Sequence, residues 1–215
     1  AVIVNSMAYK SLIVDFDIWK DADKETFKFL LFQFTVFSQD SRYHEYNVNK
    51  IVKMKIIKRF VQCLKSNVFT EDFLSSVQNT LLVLVKANAT TDIFHALSNY
   101  IIYALQVNKN FTADPNLVLS ENPELQRKCG GCILELIYYI IGNSPSHHIF
   151  KKIVKLINIR WILLLMDDAN EDIVKLSLKL LTKMFSILGE SYYSNFIDNN
   201  GFNILKNLLK KWYNN

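Results

Sequence analysis

Residues 171–188 read EDIVKLSLKLLTKMFSIL, and Gly189 follows. Apolar side chains fall at Ile173, Val174, Leu176, Leu180, Leu181, Met184, Phe185 and Leu188. Spacings of three and four place them on one stripe of a 3.6-residue helix, with lysines on the other side. Gly189 stands where a helix favours a left-handed terminating residue. No stretch of the chain shows the period-two alternation of a half-buried strand, so the pattern of 171–188 sets the fold class.

The same period recurs on both sides of this segment. Phe27, Leu30, Leu31, Phe34 and Phe37 form a stripe that opens after Asp21-Ala-Asp, an N-cap signal. A helix is predicted from about Asn49 to Lys65, with Ile51, Val52, Ile56, Ile57, Phe60, Val61 and Leu64 inside. Its other face carries Lys50, Lys53, Lys55, Lys58 and Arg59. Thr70-Glu-Asp-Phe opens a third helix and Thr91-Asp a fourth, with short turns between them. KNFTADPNLVLSEN, residues 109–122, reads as a long surface loop. Ser120 then fits an N-cap and Pro123 an early helical position. That helix is apolar on nearly every side between Ile133 and Ile141, as in a central element, until Gly142-Asn-Ser-Pro breaks it. Helices are expected at 146–157 and 160–166, a turn at 192–197, and a last helix at 202–212.

About ten helices in sequence make a globular bundle or a stacked solenoid. Helical pairs recur at roughly 40 residues, the interval of HEAT and armadillo units. The expected fold is therefore an all-α, armadillo/HEAT-like α-solenoid forming a single segment over residues 1–215. The composition agrees. Of 215 residues, 50% are hydrophobic and 21% charged, as in folded soluble proteins. Only 5 glycines and 3 prolines occur, fewer than sheets and phosphate loops use. The net charge of +5 comes from lysines spread over several helices, so nucleic-acid binding is not expected. Three cysteines are too few for a disulfide framework, which points to a reducing cytoplasmic setting. The longest apolar runs fall far short of the roughly 20 residues that span a bilayer. The opening AVIVNSMAYK, without a starting Met, reads as a piece of something larger.

Three patterns resemble the helical region upstream of the BEACH domain in large BEACH proteins, the neurobeachin and Chediak–Higashi group. One is Tyr9-Lys-Ser-Leu-Ile-Val-Asp-Phe-Asp-Ile-Trp19. Another is Ser41-Arg-Tyr-His-Glu-Tyr-Asn47, similar to a short link into a helix carrying an asparagine. The third is Trp161-Ile-Leu-Leu-Leu-Met, followed by a helix and Gly201-Phe-Asn-Ile-Leu-Lys-Asn-Leu-Leu-Lys-Lys-Trp212. The resemblance implies a scaffold portion of a protein working in vesicle traffic as a peripheral membrane organiser. On packing grounds alone, Trp19, Trp161 and Trp212 are expected to pin helix ends. Gly201 is expected to allow a tight turn before Phe202.

The sharpest chemical motif is Cys129-Gly-Gly-Cys132. A redox pair needs its first thiol at a helix N-terminus, but Glu124-Leu-Gln-Arg-Lys already reads as helix. A zinc site needs two more ligands, and adjacent His147 and His148 point to different sides. The bland reading is small residues that let helices approach closely. No HExxH, GxSxG, P-loop or GxGxxG occurs. Asp15, Asp17, Asp167 and Asp168 read as caps and solvated charges, and His95 as a core or edge residue. The chain is thus expected to be non-enzymatic, with no cofactor, metal or catalytic residues. Candidate binding residues are the lysine faces Lys50, Lys53 and Lys58, and Lys151, Lys152 and Lys155; Lys206, Lys210 and Lys211 form another. They suit other proteins, acidic peptides or anionic lipid headgroups. Alternatives are an importin-like adaptor, an anionic-membrane adaptor, and a redox or zinc module at Cys129 and Cys132.

Overall fold

The computed structural model describes residues 1–11, 15, 19, 21–39, 41–65, 74–87, 91–105, 122–143 and 157–213. All regular structure among them is helical: α1 (Ser6–Tyr9), α2 (Lys24–Ser38), α3 (His44–Lys53), α4 (Ile56–Lys65), α5 (Leu74–Ala87), α6 (Thr91–Ala104), α7 (Pro123–Asn143), α8 (Ile159–Leu165), α9 (Glu171–Leu188), α10 (Glu190–Asp198) and α11 (Gly201–Tyr213). The expected loop at 109–121 and most of the helix at 146–157 lie outside the described residues.

Asn and Asp side chains start α1, α2, α7, α8 and α9 by accepting otherwise unpaired N–H groups of the first turn. Asn5 Oδ1 accepts from Met7 and Ala8, Asp23 from Thr26 at 2.8 Å, Asn158 from Arg160, and Asn170 from Asp172 and Ile173. Asn122 Oδ1 accepts from the Leu125 N–H at 3.0 Å, so Asn122 supplies the cap expected of Ser120, and Pro123 is the first helical residue.

Two expected elements are corrected. The single helix over 49–65 is two helices, because Lys55 adopts φ +54° and turns the chain between α3 and α4. The apolar pattern runs through this break because both halves bury their stripes. The turn at 192–197 is a full helix, α10, which buries Tyr192 and Phe196.

α2 packs on α5, α5 on α7, and α7 on α9, while α6 lies against α4 and α7, and α8 against α9. α7 therefore sits in the middle of the packed set, as its all-round apolar surface requires. At one end Tyr9, Trp19, Phe27, Phe34 and Phe60 meet edge-on or tilted, with Trp19 5.4 Å from Phe27 and Phe34 5.8 Å from Phe60. At the other end Phe185, Tyr192, Phe196 and Phe202 do the same.

Trp19 and Trp161 are buried, as anchors must be, but Trp212 is 42% exposed. Trp212 follows buried Leu208 by one turn on the same side of the last helix, and its exposure comes with its place in that helix's final turn. Gly201 also plays a different part from the one expected. The left-handed residue of the turn is Asn200, at φ +62°. Gly201 is the first residue of α11, and a Cβ there would sit 2.3 Å from the Phe196 ring. It is glycine because an aromatic ring occupies the space.

Candidate interaction surface

Lys50 and Lys53 lie one turn apart on α3, on the flank away from buried Asn47 and Ile51. Lys50 Nζ stands 5.4 Å from the centre of the Tyr46 ring, a cation–π contact on an exposed aromatic. One turn earlier Arg42 reaches the exposed Tyr43 ring at 5.7 Å. These five residues make a compact basic and aromatic flank. Lys58 does not continue their helical row: it lies on α4, beyond the left-handed turn at Lys55. Lys151, Lys152 and Lys155 lie outside the described residues. Lys50, Lys53 and Lys58 have no carboxylate within ion-pair distance among the described residues.

On α11, Lys206 and Lys210 lie one turn apart and exposed, likewise without an ion-pair partner among the described residues. Lys211 reaches Asp167 at 3.9 Å, and Lys175 Nζ stands 6.0 Å from the Trp212 ring. Beside these lysines Tyr193, Ile197, Phe202, Leu209 and Tyr213 are exposed. Their apolar character was visible in the sequence, but their exposure was not.

The Cys129–Cys132 pair belongs to the packing of α7. Cys129 is buried and Cys132 half-buried, both within the body of the helix. Burial pushes the Cys129 thiol up to about 11, against a smaller lowering by the Tyr100 hydroxyl. Burial and the Glu135 carboxylate push Cys132 up as well. Both shifts suppress the thiolate that exchange chemistry and metal binding require. Of the two glycines between them, Gly130 permits close approach: a Cβ there would meet Leu105 and Ala104 at 2.8 and 2.9 Å. Gly131 faces open space. Among the described residues no three His, Cys, Asp or Glu side chains cluster to hold a metal ion. His95 is exposed. Asp168 pairs with Arg127 on α7 and also accepts from the Asn170 N–H at 2.8 Å, so it joins α7 to the start of α9.

Two structural polar residues escaped the sequence reading. Gln126 Nε2 donates to the Tyr103 carbonyl at 3.1 Å, closing the C-terminal end of α6 from the neighbouring helix. Gln78 Nε2 donates to Glu135 at 2.8 Å and joins α5 to α7. Neither carries a local signal, since each partner lies more than twenty residues away in the chain. No helix among the described residues is long and apolar enough to cross a membrane.

No family model matches this chain, and no solved structure matches it. The chain is similar to Beige protein homolog 1 of Schizosaccharomyces pombe, with 23% identity over 219 residues. The match covers 97% of this chain and 8% of that protein, so the chain spans less than a tenth of its curated relative. This similarity supports a link between the chain and the BEACH family.

Proposed function

We propose that this chain is a non-enzymatic, protein-binding scaffold segment of a large BEACH-type protein in vesicle and membrane traffic, built as an armadillo-like α-solenoid. The observation that carries the reading is the order of packing. Elements farther along the chain stack on earlier ones, α2 to α5 to α7 to α9, as repeat proteins extend one unit at a time. The similarity to Beige protein homolog 1 runs through nearly the whole chain and supports the family part. Polar side chains at the helix–helix contacts join one helix to another, as with Gln126, Gln78 and Arg127–Asp168. Cationic and aromatic side chains remain on the outside, on α3 and α11, where a partner can reach them. In this reading the chain works in the cytoplasm, and contact with membranes comes through the larger protein.

The test is a photo-crosslinking amino acid at position 53 of the 215-residue chain, followed by identification of the protein captured and titration of that purified protein. A saturable complex that weakens at least tenfold in the Lys50→Glu/Lys53→Glu double variant is expected. A captured protein that shows no saturable binding, or whose affinity ignores the charge reversal, removes the α3 flank as a binding surface.

A further inference from the structure

The turn between α10 and α11 carries the parts of a covalent change that the chain performs on itself. Asn200-Gly201 is the one Asn-Gly pair in the sequence. An asparagine side chain loses its amide when the backbone nitrogen of the next residue attacks its Cγ, and a following glycine has no Cβ to obstruct that approach. The structure guards other asparagines. Asn5, Asn122, Asn158 and Asn170 hold first-turn N–H groups of helices with their oxygens, and Ser6, Pro123, Ile159 and Glu171 follow them. Asn47 is fully buried and bonded through both Oδ1 and Nδ2. Asn200 is exposed and stands at φ +62°, outside both helices. Its Oδ1 accepts from Nδ2 of exposed Asn203 at 2.6 Å, which draws electrons away from Cγ. The Gly201 N–H is the first of the helix donors that have no partner within α11, and no acceptor reaches it among the described residues. That nitrogen is therefore uncommitted.

We propose that Asn200 is a deamidation site, with Asn203 as the residue that activates it. The Gly201 nitrogen gives its proton to hydroxide and attacks Cγ of Asn200. The Cγ–Nδ2 bond breaks, Nδ2 leaves as ammonia, and a cyclic imide joins the two residues. Water then opens the ring. Opening at Cγ leaves aspartate at position 200, and opening at the main-chain carbonyl leaves isoaspartate. One water is consumed and one ammonia released overall, with no oxidant or reductant. The aspartate product suits the turn, because the first turn of α11 has no acidic residue and its last turn carries Lys210 and Lys211. A carboxylate at 200 faces the positive end of the helix dipole. The isoaspartate product does not suit it. It routes the main chain through Cγ and lengthens it by one methylene. That happens where the Asn200 carbonyl accepts from the Asn203 and Ile204 N–H groups and where Gly201 lies against the Phe196 ring. The aspartate form therefore keeps α11 in place and the isoaspartate form loosens it.

The experiment follows the intact 215-residue chain by peptide mass spectrometry while it stands folded at pH 8 or at pH 6, with a urea-unfolded sample alongside. Amide-to-acid conversion is expected first in the peptide that carries Asn200. It should run at least tenfold faster at pH 8, since the attacking nitrogen must lose its proton. Asn200→Gln, whose longer side chain closes a larger ring, is expected to slow conversion at least tenfold. Asn203→Ala is expected to slow it at least twofold. Both positions are exposed, so an unchanged Tm keeps the comparison valid. Chromatography separates the two products, and the isoaspartate form is expected to have the lower Tm. A folded chain that converts first at another asparagine, or that keeps the Asn200 amide while the urea-unfolded chain loses it, overturns the proposal. A rate unchanged or raised in Asn203→Ala overturns the part given to that side chain. Equal Tm values for the two products overturn the effect on α11.

Discussion

The amide of Asn47 binds the backbone of Ile3: Oδ1 accepts the Ile3 N–H at 2.9 Å, while Nδ2 donates to the Ala1 carbonyl at 2.9 Å. Asn47 is fully buried on α3, and Ile3 is buried with it. An extended segment is thereby held to a helix more than forty residues away. Replacing Asn47 with Ala strands a buried N–H, at a cost of about 1–3 kcal/mol. Urea unfolding of Asn47→Ala should show that loss, with faster amide exchange at Ile3. An unchanged midpoint would mean that the pairing contributes nothing net.

Gly189 and Gly201 should both resist alanine, for opposite reasons. Gly189 has open space around it but adopts φ +60°, ψ −142°, a region nearly confined to glycine, so Gly189→Ala should cost about 1–3 kcal/mol in backbone strain. At Gly201 the added methyl meets the Phe196 ring, and overpacking should cost about 1–3 kcal/mol. The two are separable by a second change. Phe196→Leu should relieve part of the Gly201→Ala penalty and none of the Gly189→Ala penalty in a double-mutant cycle.

Stability should fall in alkali through the thiol of Cys129. Its ordinary value of 9.0 is pushed up to about 11 in the fold by burial. The unfolded chain therefore loses this proton first as pH rises. The stabilisation is complete below pH 9 and is lost between pH 9 and 11. At about 1.4 kcal/mol per unit, the loss is at most about 3 kcal/mol. Buried Tyr100, Tyr9 and Tyr192 are also pushed up and extend the decline above pH 10. Urea unfolding from pH 8 to 11 should show a shallower slope for Cys129→Ala than for the parent chain. Parallel slopes would refute the assignment.

Arg127 and Asp168 should be strongly coupled. Asp168 is largely shielded, and its carboxylate also holds the Asn170 N–H at the start of α9. Arg127→Ala leaves that carboxylate without its cation, with an expected cost of about 1–3 kcal/mol, discounted from a fully buried pair because Arg127 is partly solvated. Arg127→Ala/Asp168→Ala together should cost less than the sum of the single changes. Additive losses would show that the pair acts independently.

Helix positions were legible because their causes are local. The stripe of 171–188, the cap at Asp23 and the proline at 123 act within a turn or two of themselves. The split at Lys55 was hidden because a left-handed lysine leaves the apolar rhythm of 51–64 almost undisturbed. The lysines were legible as charge, but not as a shared surface. Lys50 and Lys53 stay together, and Lys58 is carried off by that split.

The sequence by itself determined the helical class, most helix starts, and the residues able to fill a core. Those follow from dihedral preference, capping and a 3.6-residue period, all short-range. Only the tertiary structure decided which apolar arc is covered. Phe34 is sealed and Leu209 bare, though both are apolar side chains on regular helices. It also decided that Gly201 yields to a ring and that Asn47 serves a distant strand of backbone. Burial and pairing are properties of neighbours brought together across the chain, and no short-range pattern encodes which neighbour arrives.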